Sequence, residues 1–524
     1  MIVGAAFWSV LLINAGMIGI IVESLTGRAS PLWLAIPLLY FGGYYAAYFY
    51  DQSTLAGVQK ETTRFNEGKS LPYSGAVRDL VVTSQGDNGV ALTASTLVEQ
   101  YNVPRAFDGE TRLYTIGTPA VCTSINSDHA FMSAGIQGYM LALRGEGWRK
   151  KSTGFCRVMM PGQPDKPVMT LVSQHRKERR GLLNLALVDF VATDSATEAS
   201  ATVRGGSAGP MKHFPMPVMG CALNSGAPSW ECFHGFMRDR VQVVPGLARY
   251  SGGEEIVARM LGLTRTDDHA ATAIGTDVFQ PIADRIATEA SAKDLANLER
   301  MLIAPGEPIK DGWLRYLPDR PDIVAPYAPR IFAALETLKA SGEVRYTENA
   351  KNLWTLVSRM SGETVAPYRS RMAALMQPPA PEYTFNSFYA YKQLDVTDPI
   401  QRAVLLDRLT GNPRKFVGEL LPPFCRMGAA APREVKERLL ALWKARAPGP
   451  GSPNEREFDS TDVLLYLTLA RMGLKSEAGQ VEQRYYGPDF KIIWDHVGPE
   501  TSDDICVESS NELGTYFREK GWKS

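Results

Sequence analysis

Two stretches without a charged side chain decide what this chain can become. Ile2 to Val22 spans 21 residues and is closed by Glu23, and Ala29 to Tyr50 spans 22 and is closed by Asp51. A helix of about 20 apolar residues crosses the roughly 30 Å of a bilayer's hydrocarbon core. Only Glu23-Ser-Leu-Thr-Gly-Arg28 separates the two runs, so a transmembrane helical hairpin over residues 1–50 is expected. A cleaved signal peptide fits the first run poorly, because no Lys or Arg precedes it and no small-x-small site follows before the second. Pro37 and Gly42-Gly43 lie inside the second run, where a kink is expected. The ring-dense end of that run, Tyr40 to Tyr50, suits a membrane–water interface.

Flanking charges bear on orientation. Arg28 lies in the loop, whereas Lys60, Arg64 and Lys69 follow the second run, which favours amino terminus and body in the cytoplasm of a bacterial-type inner membrane. Cysteine usage argues for the periplasmic side. Cys221 and Cys232 frame an Asn-Ser-Gly turn as a cross-strand disulfide would, and Cys122 with Cys156 and Cys425 with Cys506 make two further candidate pairs. On balance the charges favour the cytoplasm.

After a juxtamembrane segment, 51–70, residues 71–262 show short apolar stretches broken by turn formers, such as Leu80 to Thr83 and Arg112 to Ile116. This predicts an α+β domain with a mainly antiparallel sheet. Farther on, apolar residues recur at helical spacing, as in Leu353, Leu356, Val357 and Met360, or Val435, Leu439 and Leu442. The stretch Val324-Ala-Pro-Tyr327 to Leu335 recurs as Val365-Ala-Pro-Tyr368 to Leu375, an offset of 41 that slips to 40 at its end. That spacing resembles HEAT units in architecture, and Phe416 to Trp443 is a candidate third unit. The layout expected is an all-α HEAT-like helical-repeat region over 263–376, a Pro/aromatic-rich connector over 377–397 and a C-terminal helical region over 398–524.

Chemistry is sparse. Gly205-Gly-Ser207-Ala-Gly209 matches the nucleophile motif G-x-S-x-G, but Pro210, Pro215 and Pro217 forbid the helix that should follow. His213, Cys221, Cys232 and His234 are zinc-type ligands at spacings that fit no familiar framework. No C-x-x-C pair, P-loop or dinucleotide fingerprint occurs. No catalytic residue, metal or cofactor is assigned. Lys+Arg and Asp+Glu both number 56, a balance that argues against nucleic acid as a partner. The basic clusters Trp148 to Lys151 and His175 to Arg180 read as solvated turns, with contact to anionic headgroups the alternative. Five rings in nine residues, Tyr383, Phe385, Phe388, Tyr389 and Tyr391, are candidate partner-binding residues, against the alternative that they pack onto the helices. These features favour a non-enzymatic membrane-anchored scaffold or adaptor that docks protein partners, as in a bacterial secretion or conjugation assembly. The alternative is a membrane-tethered hydrolase or metal-dependent enzyme using the strand-rich domain.

Overall fold

A computed structural model describes residues 2–85, 92–142, 152–223, 230–247, 253–266, 268–341, 348–377, 387–411, 417–446, 460–479 and 488–522. They fall into two compact units, Met1–Ile286 and Ala287–Ser524.

The first unit opens with α1 (Ile2–Leu25), a turn, a 3₁₀ turn (Pro31–Leu34) and α2 (Ala35–Asn66). Among the described residues one helical stretch, Pro31–Asn66, is long and apolar enough to cross a membrane. The helix does not stop where the charges begin. Asp51 to Asn66 contains no proline, and Asp51, Leu55, Val58 and Thr62 repeat one buried stripe at helical spacing. The expected juxtamembrane segment is therefore the second half of α2. Helix is also continuous through the site of the expected kink. Pro37 falls in the first turn, where backbone N–H groups lack helical partners in any case.

Strands and helices then alternate irregularly: β1 (Asp79–Gln85), α3 (Ala94–Tyr101), β2 (Arg105–Asp108), β3 (Arg112–Gly117), α4 (Pro119–Ser127), α5 (His129–Ser133), β4 (Gln137–Ala142), β5 (Ser152–Pro161), β6 (Val168–Arg180), β7 (Leu183–Asp194) and β8 (Ser200–Gly209). There follow β9 (Pro217–Leu223), β10 (Trp230–Phe236), β11 (Val241–Gln242), α6 (Glu254–Leu261) and α7 (Thr276–Ile303), which carries the chain into the second unit. Nine strands form one mixed sheet in the order β11-β8-β7-β6-β1-β2-β3-β5-β4. Only β1 has parallel neighbours, β2 and β6, and the other pairings are antiparallel. Strands β9 and β10 make a separate hairpin that lies along α1.

Alternation along β7 shows how the sheet is covered. Leu183, Leu185 and Leu187 are buried with Leu55 and Val58 of α2, while Asn184 and Ala186 between them are exposed on the other face. Farther along that second face, α3 and α6 close a larger core containing Leu97, Val98, Phe190, Val203, Val257 and Leu261. The unit extends past the expected boundary at 262. Ile274 bridges to Gly117, and Phe279 is fully buried, edge-on to Phe131 at 5.7 Å.

The second unit is helical and has one core that runs from Leu298 to Phe517. The connector does not divide it, because Ala390, Tyr391 and Leu394 are part of that core. Both repeated segments adopt the same broken form. Pro321–Val324, a 3₁₀ turn at Ala325–Tyr327 and Ala328–Ala340 match Gly362–Val365, Ala366–Tyr368 and Arg369–Met376. The cause is the proline of each Ala-Pro-Tyr, which has no N–H to continue an α-helical ladder. The second copy packs on the first: the Tyr368 ring stacks on Phe332 at 4.8 Å, and Arg371 donates twice to Glu336 at 2.7 Å. A fully buried ion pair, Arg446 to Asp462 at 2.5 Å, ties helix Arg433–Arg446 to Ser460–Arg471.

Two disulfides staple these units internally. Cys122 of α4 bonds Cys156 of β5, and Cys425 bonds Cys506 across 81 residues, with Cα separations of 5.8 and 5.7 Å. Each is expected to contribute about 2–4 kcal/mol by restricting the unfolded chain.

The buried acids at the ends of β1 and β7 offer a test of the sheet. Asp79 accepts from Arg105 and from the backbone N–H groups of Asp165 and Lys166. Asp194 accepts from Arg78 at 2.9 and 3.2 Å, from the Ala196 N–H and from the Thr197 hydroxyl. The Arg78 guanidinium, followed by those smaller donors, lowers the Asp194 pKa to about 2. Because this lies below the unfolded value of about 3.9, the pairing stabilises the fold above about pH 4 and its contribution is lost as pH falls toward 2. Carboxyl-carbon NMR should show Asp194 titrating near 2 in the native chain and shifted upward in Arg78→Gln, where the Ala196 and Thr197 donors remain; an ordinary value in the native chain would count against the pairing.

Candidate functional site

The most elaborately built site is the joint where α1, α2 and the connector 209–216 meet. On α2 the buried positions Pro37, Tyr44, Asp51 and Val58 recur every seven residues, so one face of the helix stays against protein along its length. At the centre is Asp51, which has no exposed surface. Its Oδ2 accepts from Arg238 Nη1 at 2.9 Å and from the Met211 N–H at 3.2 Å, and Arg238 Nη1 also donates to the Gly209 carbonyl at 2.8 Å. Oδ1 is buried without a hydrogen-bond partner among the described residues.

The connector is held at two further levels. The Tyr44 hydroxyl lies 2.7 Å from the Lys212 carbonyl and 3.1 Å from that of Phe214, so it donates to one or the other. Asn14 of α1 donates through Nδ2 to the Pro215 carbonyl at 3.0 Å and accepts at Oδ1 from the Tyr40 hydroxyl at 3.4 Å. Around these bonds Phe236 packs against Tyr44 at 4.8 Å, and His213 lies edge-on to Tyr45 and Tyr48.

On the other side of Asp51, α2 is fastened to the sheet. Gln59 donates to the Gln242 carbonyl at 3.1 Å, and Asn66 exchanges a reciprocal pair of bonds with the Arg204 backbone at 2.8 and 2.7 Å. Arg180 pairs with Glu61, and that hydrogen bond holds the Glu61 carboxyl below its ordinary pKa. The Arg204 guanidinium sits over the Phe65 ring at 4.2 Å.

The outward surfaces of the two helices are different in kind. Leu32 is 84% exposed and Leu39 77%, and Leu12, Ile18, Val22, Leu25 and Leu38 are also exposed. Exposed apolar side chains in this number, on both helices and on the 3₁₀ turn that holds Leu32, mark a surface that meets something other than water.

Residues singled out by sequence distribute unevenly. Backbone register sets Cys221 opposite Cys232 in the β9–β10 hairpin, and their side chains lie outside the described residues. Ser207 lies within β8, paired with Ala186 and Gln242, and not at a strand-to-helix turn. Among the described residues no group of three or more His, Cys, Asp or Glu is placed to hold a metal. Tyr383, Phe385, the Phe388 side chain and the cluster 148–151 lie outside the described residues. Tyr389 is partly buried, with the Lys392 ammonium over its ring at 4.7 Å. Tyr391 is only 2% exposed: the 3₁₀ turn Ser387–Gln393 packs on helix Glu348–Arg359 and turns that ring into the core, so it offers no face to a partner. In the sequence Asp51 is only the end of an apolar run; its seven-residue spacing from Tyr44 and Val58 is the signal available, whereas nothing local marks Arg238.

Comparison with protein-family profiles, with curated proteins and with solved structures finds no match to this chain.

The joint predicts an asymmetry. Arg238→Ala strands a carboxylate with no route to water and should cost about 3–5 kcal/mol. Asp51→Ala leaves a guanidinium that is 29% exposed and still bonded to Gly209, so about 1–2 kcal/mol is expected. Urea unfolding of the full chain in detergent reads both, and equal losses would contradict the assignment.

Proposed function

We propose that this chain is a membrane-anchored scaffold that docks protein partners, with α1 and α2 forming a two-helix hairpin in a bacterial-type inner membrane. The observation that carries this reading is the continuity of α2. Its first half presents apolar side chains outward, and its second half is bonded to the sheet without an intervening linker. A flexible tether rich in Gly and Ser gives a domain reach, whereas an unbroken helix gives it a fixed height and orientation. Fixing a body against a bilayer suits a component that presents surfaces to other proteins. The exposed apolar surface of α1 supports the hairpin. The paired helical segments of the second unit support a HEAT-like stack as the docking surface, since such pairs bury their apolar faces only against neighbours.

The body belongs, in this proposal, on the periplasmic side. Two closed disulfides, together with the register of Cys221 and Cys232, account for all six cysteines, and such pairs persist in oxidising compartments. The flanking-charge count that favours the cytoplasm rests on three basic residues against one, a weaker argument than covalent pairing.

Labelling spheroplasts with a membrane-impermeant maleimide tests the side. A thiol introduced as Arg433→Cys, at a side chain 91% exposed, should react without lysis, while the buried pairs Cys122–Cys156 and Cys425–Cys506 stay silent. Reaction of that thiol only after the membrane is opened would overturn the periplasmic placement. Photo-crosslinking in cells tests the scaffold itself: reproducible heterologous adducts are expected from the second unit, and recovery of the lone chain would argue against it.

A further inference from the structure

The sheet face opposite α2 carries a groove of about 510 Å³ that the joint does not use. Register and pleat explain its lining. Lys177 pairs with Ala186 and Arg179 with Asn184, and these pair in turn with Ser207 and Gly209. All six therefore project to one face, away from the leucines that α2 covers. The α3–α6 layer covers this face only farther along, around Phe190 and Val203, so the end near the β6–β7 turn stays open. Asp239 and Arg240 complete the wall.

Charge on the two faces is managed differently. On the α2 side Arg176, Arg180 and Arg204 each meet a carboxylate. In the groove Lys177, Arg179 and Arg240 are exposed, and none has a carboxylate within ion-pair distance among the described residues. The groove's acids are engaged elsewhere, Glu178 with Arg180 and Asp239 with Lys212. Asn184 and Ser207 add uncharged hydrogen-bonding groups.

The height of this groove is set by Gly181, in the β6–β7 turn at φ +59°. A Cβ on Gly181 would lie 2.5 Å from the Tyr50 ring, so turn and ring are in direct contact. Tyr50 ends the apolar run, which sets Arg179 and Asn184 level with the zone where hydrocarbon gives way to headgroups. Exposed Phe214, Phe236 and Met237 lie by the same joint. We propose that the groove binds the phosphate of an anionic phospholipid in the leaflet next to the body. This rests on the membrane-anchored reading above.

The full chain is reconstituted into nanodiscs of mixed phosphatidylcholine and phosphatidylglycerol, and retained lipid is counted by native mass spectrometry. The native chain should retain phosphatidylglycerol preferentially. Lys177→Gln/Arg179→Gln/Arg240→Gln should lower that preference on the order of 100-fold, about fivefold per charge, while Arg259→Gln, which removes one charge from α6, leaves it intact. Unchanged circular dichroism confirms that the triple variant folds. Equal retention of both lipids by the native chain, or no loss in the triple variant, overturns the proposal while the anchor stands. Displacement of phosphatidylglycerol by inorganic phosphate identifies a site for soluble anions and overturns the lipid assignment. A chain that fails to enter nanodiscs at all overturns the anchored reading and this proposal together.

Discussion

Asp51 is a carboxylate without access to water, and it sits where α2 passes from an apolar exterior to a protein interface. Removing a charge from water costs several kcal/mol, recovered only in a geometry that supplies its donors. Here those donors are the Arg238 guanidinium and one backbone N–H, both on segments that flank the β9–β10 hairpin. A shift of one residue along α2 would turn the carboxylate by about 100° and lift it about 1.5 Å. The same shift would withdraw Leu55 and Val58 from the leucines of β7. The ion pair and the leucine contacts together select a single register for a 32-residue helix.

Around that register the first unit is consistent from end to end. Tyr44 and Asn14 hold the connector above Asp51, Gln59 and Asn66 hold the sheet below it, and Phe236 and His213 pack on the rings of Tyr44, Tyr45 and Tyr48. The sheet meets α2 with buried leucines on one face and leaves Lys177, Arg179 and Asn184 on the other. The second unit depends on none of these contacts for its own core, which closes around Trp443, Phe424 and the buried Arg446–Asp462 pair.

Much of this was legible in the residues. The apolar runs, the turn-broken strands and the later helical spacing report local periodicity, and local periodicity is what sequence encodes most directly. What escaped reading depends on contacts distant in sequence. The continuation of α2 to Asn66 requires the β7 face as a partner, and the extension of the first unit to Ile286 requires Gly117 and Phe131 to receive Ile274 and Phe279. Five rings behind a proline-rich stretch fit a partner surface and a packed ring alike, and Tyr391 takes the second course because a buried ring gains more than an exposed one. Arg238, 187 residues from Asp51, carries no local signal at all.

The claim that α2 runs as a single rigid helix from its apolar half to the sheet is open to direct measurement. Spin labels at Leu39 and Lys60, both exposed on α2, should lie about 32 Å apart along a continuous helix. Double electron–electron resonance on the full chain in lipid nanodiscs should give one narrow distance distribution near that value. A broad or markedly shorter distribution would mean that the helix breaks between its apolar half and the sheet, and the proposed anchoring at a fixed height would fail.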